Sequence, residues 1–334
     1  MLYEEPYRGR NRKNRSGRSA RRRRRSFGGW LVSTLLKLLA LALTLTMAGG
    51  ALLYALPVSF FQVEPEGADL SLTPGLPPQR VCVLLLGLDA LHENARRSDS
   101  IVIASIGAGE VKLASVLRDT VLDIPGHGPG KLNAAYAWGG PELVMKTLNE
   151  NLKLDIMRYM AVDYAALIRL VDALGGVEVT ITPAEMEKIN QTIDRRRARW
   201  EALGYIGRPL TLSGEGVLLD GVQALTYARI RKLDSDFMRT SRQRALLKAM
   251  LNRLKASLTR PARLARFLKV LATAPESNMP PLQWLSLGEK ALAWGVTDQL
   301  RLPVEGSYTD DGSSLQVDDL QMNVGALQLF LYGQ

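Results

Sequence analysis

The sequence predicts an α/β/α layered domain with a mixed central sheet, preceded by one N-terminal transmembrane helix. Three observations carry this. An arginine-rich tail runs straight into a long uncharged stretch, a continuous apolar run is followed by two strand-like runs joined through a glycine turn, and strand and helix patterns then alternate. Strands alternating with helices indicate layered α/β architecture, and the glycine-joined pair adds an antiparallel hairpin, so the sheet is mixed.

Charge places the first elements. The formal net charge is +10 over 334 residues, which taken alone suggests a nucleic-acid surface. Residues 1–25 hold eleven Lys or Arg, including the run Arg21 to Arg25, against Glu4 and Glu5, and Lys37 supplies the last unit. From residue 38 onward the chain is neutral on balance, so no nucleic-acid partner is expected. Leu38 to Leu56 carries no charged residue, and as a helix it reaches about 28 Å, close to the ~30 Å of a hydrocarbon core. The expected organisation is a basic cytoplasmic tail over 1–29, a transmembrane helix over 30–56, a Pro/Gly-rich linker over 57–79 and an extracytoplasmic domain over 80–334. Basic flanks stay in the cytoplasm, so the chain crosses the cell membrane once and its domain faces outward. A cleaved signal peptide fits less well, because the apolar run exceeds a usual h-region and no small-x-small site follows it.

Within the domain, Val81 to Leu86 is an apolar run ended by Gly87, the pattern of a strand buried on both faces. Ser100 to Ile106 and Val111 to Val116, joined by Gly107-Ala108-Gly109-Glu110, predict a hairpin. Pro141 opens a helix to about Leu152. Tyr159 to Val162 reads as a strand, Ala165 to Leu174 as a helix stopped by Gly175-Gly176, and Val177 to Ile181 as another strand. Residues 184–203 form a polar helix whose Arg195, Arg196, Arg197 and Arg199 read as a solvated face, and Tyr227 to Lys232 alternates as an extended segment does. A long helix over Met238 to Leu258, two more over about 261–273 and 282–294, a strand pair and a helix around 318–332 complete the domain.

The composition excludes some chemistry. Cys82 is the only cysteine, so no internal disulfide and no thiolate zinc site can form, and within an apolar strand it reads as a small hydrophobe. His92 and His127 are the only histidines, and neither has a partner at metal-ligand or triad spacing.

What remains points to phosphate. If Tyr227 to Lys232 is extended, Arg229 and Arg231 project from one face with stems roughly 7 Å apart, suited to gripping neighbouring phosphoryl groups bidentately. Arg239 and Gln243 stand four apart at a helix start and share a face near an N-terminus favourable to anions. Arg242 and Arg244 point elsewhere and read as solvent-exposed. Asp89, Asp99 with Arg97, and Arg118 with Asp119 stand at strand ends. A magnesium–pyrophosphate site requires oxygen ligands for a hard cation beside fixed positive charge, which is what these residues supply.

These segments resemble a known family. Leu85-Leu86-Gly87-Leu88-Asp89, Arg97-Ser98-Asp99-Ser100, Arg118-Asp119-Thr120, Lys131-Leu132-Asn133-Ala134-Ala135-Tyr136 with Gly139-Gly140-Pro141, Val171 to Val177, and Asp234-Ser235-Asp236-Phe237 through Arg239-Thr240 and Arg242-Gln243 look, in order and spacing, like the LytR-CpsA-Psr family. The resemblance is strongest from about residue 80 to 250. It implies a phosphotransferase that moves a glycopolymer, such as a teichoic acid or capsular polysaccharide, from a polyprenyl pyrophosphate carrier to a muramic acid hydroxyl of peptidoglycan. By position it implies Mg²⁺ at Asp89 and Asp99, pyrophosphate contacts from Arg118, Arg229, Arg231, Arg239 and Gln243, and a further acidic site member in Asp236. It also implies an apolar pocket for the lipid tail beside the sheet. Asp99 or Asp236 orients the attacking hydroxyl, and Arg118 belongs to the catalytic set. The chain departs from the family twice: Ala90-Leu91-His92 follows Asp89 where an arginine is usual, a place Arg96 or Arg97 fills from the loop, and Leu117 precedes Arg118-Asp119 where proline is common. The same arginine face suits a second reading, a non-catalytic polyprenyl-phosphate-binding or regulatory membrane protein, and a third, a hydrolase with water as acceptor.

Overall fold

In the computed structural model, which describes residues 69–89, 97–230 and 236–333 apart from the side chains of Asp236 and Pro281, the expected hairpin is part of the central sheet. Strand β1 (Arg80–Asp89) pairs antiparallel with β2 (Arg97–Gly107), and β2 with β3 (Glu110–Val116). A short hairpin follows, β4 (Thr120–Ile124) and β5 (Gly128–Lys131), leading into helix α1 (Leu132–Leu152). Then come β6 (Arg158–Asp163), α2 (Tyr164–Ala173), β7 (Val177–Ile181), α3 (Pro183–Arg195), α4 (Arg197–Ala202), β8 (Gly214–Leu219), α5 (Gly221–Ala228) and α6 (Asp236–Ser257). The chain continues through α7 (Pro261–Leu271), β9 (Glu276–Ser277), α8 (Pro281–Trp294), β10 (Val296–Leu302), β11 (Tyr308–Asp310), β12 (Leu315–Val317) and α9 (Leu320–Tyr332). Among the described residues the main sheet has the order β10-β3-β2-β1-β6-β9, with β1–β6 and β10–β3 parallel and the other pairs antiparallel, so it is mixed as predicted. A smaller sheet, β11-β12-β4-β5, and the β7-β8 ribbon lie apart from it.

Strand alternation sorts β1 between two cores. Cys82, Leu84, Leu86 and Leu88 pack with α1 and α9, while Val81 and Val83 pack with α8 on the opposite side. Burial pushes the Cys82 thiol up to about 12, in keeping with an inert core residue. Packing begins before the expected boundary at residue 80, since Leu70 is buried and its carbonyl accepts from Asn149 Nδ2 at 2.9 Å. No helix among the described residues is long and apolar enough to cross a membrane. The tail over 1–29, the span over 30–56 and the linker as far as residue 68 lie outside the described residues.

Several expectations change. Helix α1 begins at Leu132, a full two turns before Pro141, and is broken at Gly139 and Gly140, where φ at Gly140 is 65° and the backbone is left-handed. The segment around Arg229 is not extended. Asp220 and Gln223 form a reciprocal capping box that starts α5, and Arg229 is that helix's C-terminal cap. Arg242 is not exposed either: its Nε donates to Glu185 Oε1 at 2.7 Å in a buried pair, and Arg244 is part-covered and donates to Gln299. Leu117, where the family favours proline, donates its backbone N–H to Leu302 O at 2.9 Å, a bond that ties β3's end to β10 and that proline cannot make.

Candidate functional site

The site grows from an irregularity. Across β1 and β2, Gly87 faces Ser100 and Leu88 faces Ser98, so Asp99 is an extra residue, a β-bulge. The bulge sets Asp99 beside Ser100 on the wall of one cavity. There Asp99 Oδ1 accepts from Arg118 Nη1 at 2.7 Å, and its Oδ2 accepts from the Tyr164 hydroxyl at 3.4 Å. Arg118 also donates through Nε to Asp119 Oδ2 at 3.0 Å, and Lys131 Nζ stands 3.8 Å from the other Asp119 oxygen. Tyr164 is held at the first turn of α2, whose N-cap Asp163 accepts from Ala166 N.

Arg229 is aimed by the end of α5. Its guanidinium lies over the Tyr164 ring, 4.1 Å from the centroid, and its Nη2 is 3.6 Å from Asp89 Oδ2. Arg229, Arg239, Gln243 and Asp99 line the same cavity of about 230 Å³. Arg239 and Gln243 reach it from α6 as their spacing predicts, and Arg239 is buried there. The rest of the wall is largely apolar, including Val102, Leu167, Leu247, Met250 and Phe267. The cavity therefore combines a lipophilic interior with guanidinium groups on its wall.

The structure thus brings Asp89, Asp99, Arg118, Arg229, Arg239 and Gln243 into one connected set. Arg97 is exposed at the start of β2, opposite Asp89 in the strand register, and is not part of the cavity wall. Arg231 and the Asp236 side chain lie outside the described residues. Sequence reasoning missed Tyr164, which bridges Asp99 and Arg229; a lone tyrosine at a strand–helix junction gives no signal. It also assigned Arg196 to a solvated face, whereas Arg196 is part-buried and lines a second cavity beside Arg229.

Among the described residues no group of three or more His, Cys, Asp or Glu converges as a metal cage. Magnesium, however, is commonly held by one or two carboxylates with phosphate oxygens and waters completing its shell. Asp89 and Asp99, acid groups each beside an arginine of the set, fit that donor chemistry.

Comparison with known proteins accords with this arrangement. The chain is 28% identical over 267 residues to the regulatory protein MsrR of Staphylococcus aureus, spanning 75% of this chain and 74% of that one. It is 30% identical over 255 residues to the polyisoprenyl-teichoic acid–peptidoglycan teichoic acid transferase TagU of Enterococcus faecalis, spanning 72% and 75%. Its fold matches solved structures of TagT, one bound to LIIa-WTA (TM-score 0.61, 24% identity, 82% of this chain and 95% of that one) and one with bound octaprenyl pyrophosphate lipid (TM-score 0.58, 23% identity, 82% and 95%). The LytR_cpsA_psr family model matches residues 66–328. The chain belongs to the LytR-CpsA-Psr family.

Proposed function

We propose that this protein transfers a glycopolymer of teichoic acid or capsular type from a polyprenyl pyrophosphate carrier to peptidoglycan at the outer face of the cell membrane. The observation that carries the reading is the single cavity whose wall is apolar along most of its length and joins Arg229, Arg239, Gln243 and the Asp99–Arg118 pair. An amphiphile with a long hydrocarbon tail and a doubly charged head complements that surface. The teichoic acid transferase activity in TagU's name and the octaprenyl pyrophosphate bound to TagT support the same class of substrate.

In this reading the tail occupies the apolar wall and the guanidinium groups of Arg118, Arg229 and Arg239 hold the pyrophosphate oxygens. The acceptor hydroxyl attacks the phosphorus attached to the glycan, a phosphodiester forms, the bond to the distal phosphate breaks, and polyprenyl phosphate leaves. Fixed guanidinium charge is most valuable where negative charge develops on that leaving phosphate. Asp99 or Asp236 orients the acceptor hydroxyl and takes up its proton. Asp89 and Asp99 would hold Mg²⁺, which when bound supplies further charge neutralisation at the pyrophosphate. Residues 30–56 anchor the chain, with the tail over 1–29 inside and the domain outside.

The test uses the full chain in detergent with a short-chain polyprenyl-pyrophosphate oligosaccharide, Mg²⁺ and a peptidoglycan fragment, followed by mass analysis. Glycan phosphate joined to the fragment with release of polyprenyl phosphate, both lost in Arg229→Ala, supports transfer. Tight donor binding with no product would favour the non-catalytic reading, to which the name of the relative MsrR gives some support. Free glycan phosphate would mean hydrolysis.

A further inference from the structure

Arg195 and Arg196 do more than face solvent. Between α3 and α5 lies a second cavity of about 250 Å³, lined by Lys188, Thr192, Arg195, Arg196, Thr226 and Arg229 among others, roughly eight times the ~30 Å³ share of a water molecule. Among the described residues no carboxylate is in its wall. Three other arginines of the chain have a carboxylate: Arg242 with Glu185, Arg253 with Glu178, and Arg197 with Asp194. Among the described residues no acidic group pairs with Lys188, Arg195 or Arg196. Arg196 is held below the usual guanidinium range by burial first, then by the charges of Arg229, Arg199 and Arg195. Gathering like charges around a part-covered cavity costs stability unless an anion enters.

Arg229 stands in the wall of both cavities. A donor with its tail against Leu167 and Phe267 and its pyrophosphate at Arg229 has its sugar end next to the cationic cavity. We propose that this cavity is a subsite for a negatively charged substituent, phosphodiester or carboxylate, on the glycan of the donor, and that it selects anionic over neutral polymers. The donor is favoured as the source over the acceptor because one guanidinium is shared between the two cavities, so a single molecule can run through both. The proposal rests on the donor reading above only for the pyrophosphate's place at Arg229.

The experiment measures equilibrium binding to the full chain in detergent. Two donors share one short polyprenyl pyrophosphate and one disaccharide, and one of them carries a glycerol phosphate on its distal sugar. The wild-type protein is expected to bind the charged donor about tenfold more tightly, as one charge-assisted contact allows, and the advantage is expected to shrink with added salt. Arg195→Gln combined with Arg196→Gln is expected to bring the difference below about twofold while leaving the uncharged donor's affinity unchanged and the melting temperature the same or higher. Lys188→Gln, on the α3 side of the cavity, serves as an independent variant with the same direction. Equal binding of the two donors by the wild-type protein overturns the proposal, and so does a variant that weakens both donors alike. Loss of binding to a carboxylate-bearing peptidoglycan fragment, with both donors unaffected, also overturns it and assigns the cavity to the acceptor. Because binding is read, a protein that discriminates the donors but transfers neither sinks the transferase reading and leaves this subsite standing. A wild-type protein that binds neither donor overturns both.

Discussion

The two faces of the central sheet differ. On the α1 side Leu84, Leu86 and Leu88 of β1 meet Leu148, Leu152 and Leu331 in a core whose void beside Leu152 is only about 10 Å³. On the α6 side the same strand offers Leu85 and Gly87 to a cavity. Successive residues of one strand therefore serve a filled core and an open site. One face provides the rigidity against which the other can remain unfilled, since a wall that must hold a ligand cannot also be packed by its own side chains.

This contrast can be broken from either side. The largest effect is expected on the filled face: Leu84→Ala leaves a void that neighbours cannot close and should cost about 2–5 kcal/mol of stability in urea unfolding. On the open face the cost moves from stability to chemistry. Arg229→Ala should lower the transfer rate by on the order of 10²–10³-fold, equivalent to about 2.7–4 kcal/mol of barrier, with the unfolding midpoint nearly unchanged. Leu247→Ala, in the cavity wall, should cost about 1 kcal/mol or less in stability, and should weaken retention of a long-tailed donor more than of a short-tailed one in a binding assay. The mildest probe is the lone thiol. With its pKa pushed up to about 12, Cys82 carries almost no thiolate at neutral pH, so maleimide labelling should follow opening of the filled face and ignore occupancy of the cavity.

What the sequence made legible follows the same division. The main strands were readable because Val81 to Leu86 and the Gly107 to Glu110 turn are strong local signals, and Arg239 and Gln243 share a cavity wall because helical periodicity is local too. Strands β5 and β8 were not, since Gly-Pro-Gly-Lys and Gly-Glu-Gly-Val-Leu-Leu lack the apolar alternation of a half-buried strand. Arg229 was misread as extended although Asp220 and Gln223 stand at capping-box spacing, a signal that alternation further on obscured. Arg242 could not be read locally, because its partner Glu185 lies 57 residues away. Its burial places a charged pair under the α3 helix, and Glu185→Gln, which takes away the charge of the carboxylate that Arg242 Nε donates to, should lower stability by about 3 kcal/mol in the same urea assay.

The bulge at Asp99 gives chain length a meaning at this position. A substitution there changes which group is presented; a deletion removes the position itself. Because Ser98 already stands opposite Leu88 and Ser100 opposite Gly87, loss of the one residue between them would restore continuous pairing with β1, leave the facing of its neighbours as it is, and remove the bulge that presents the side chain. Insertions and deletions in descendants of this gene should accordingly accumulate in surface connections and be absent from these three residues, even where the acid itself has been exchanged.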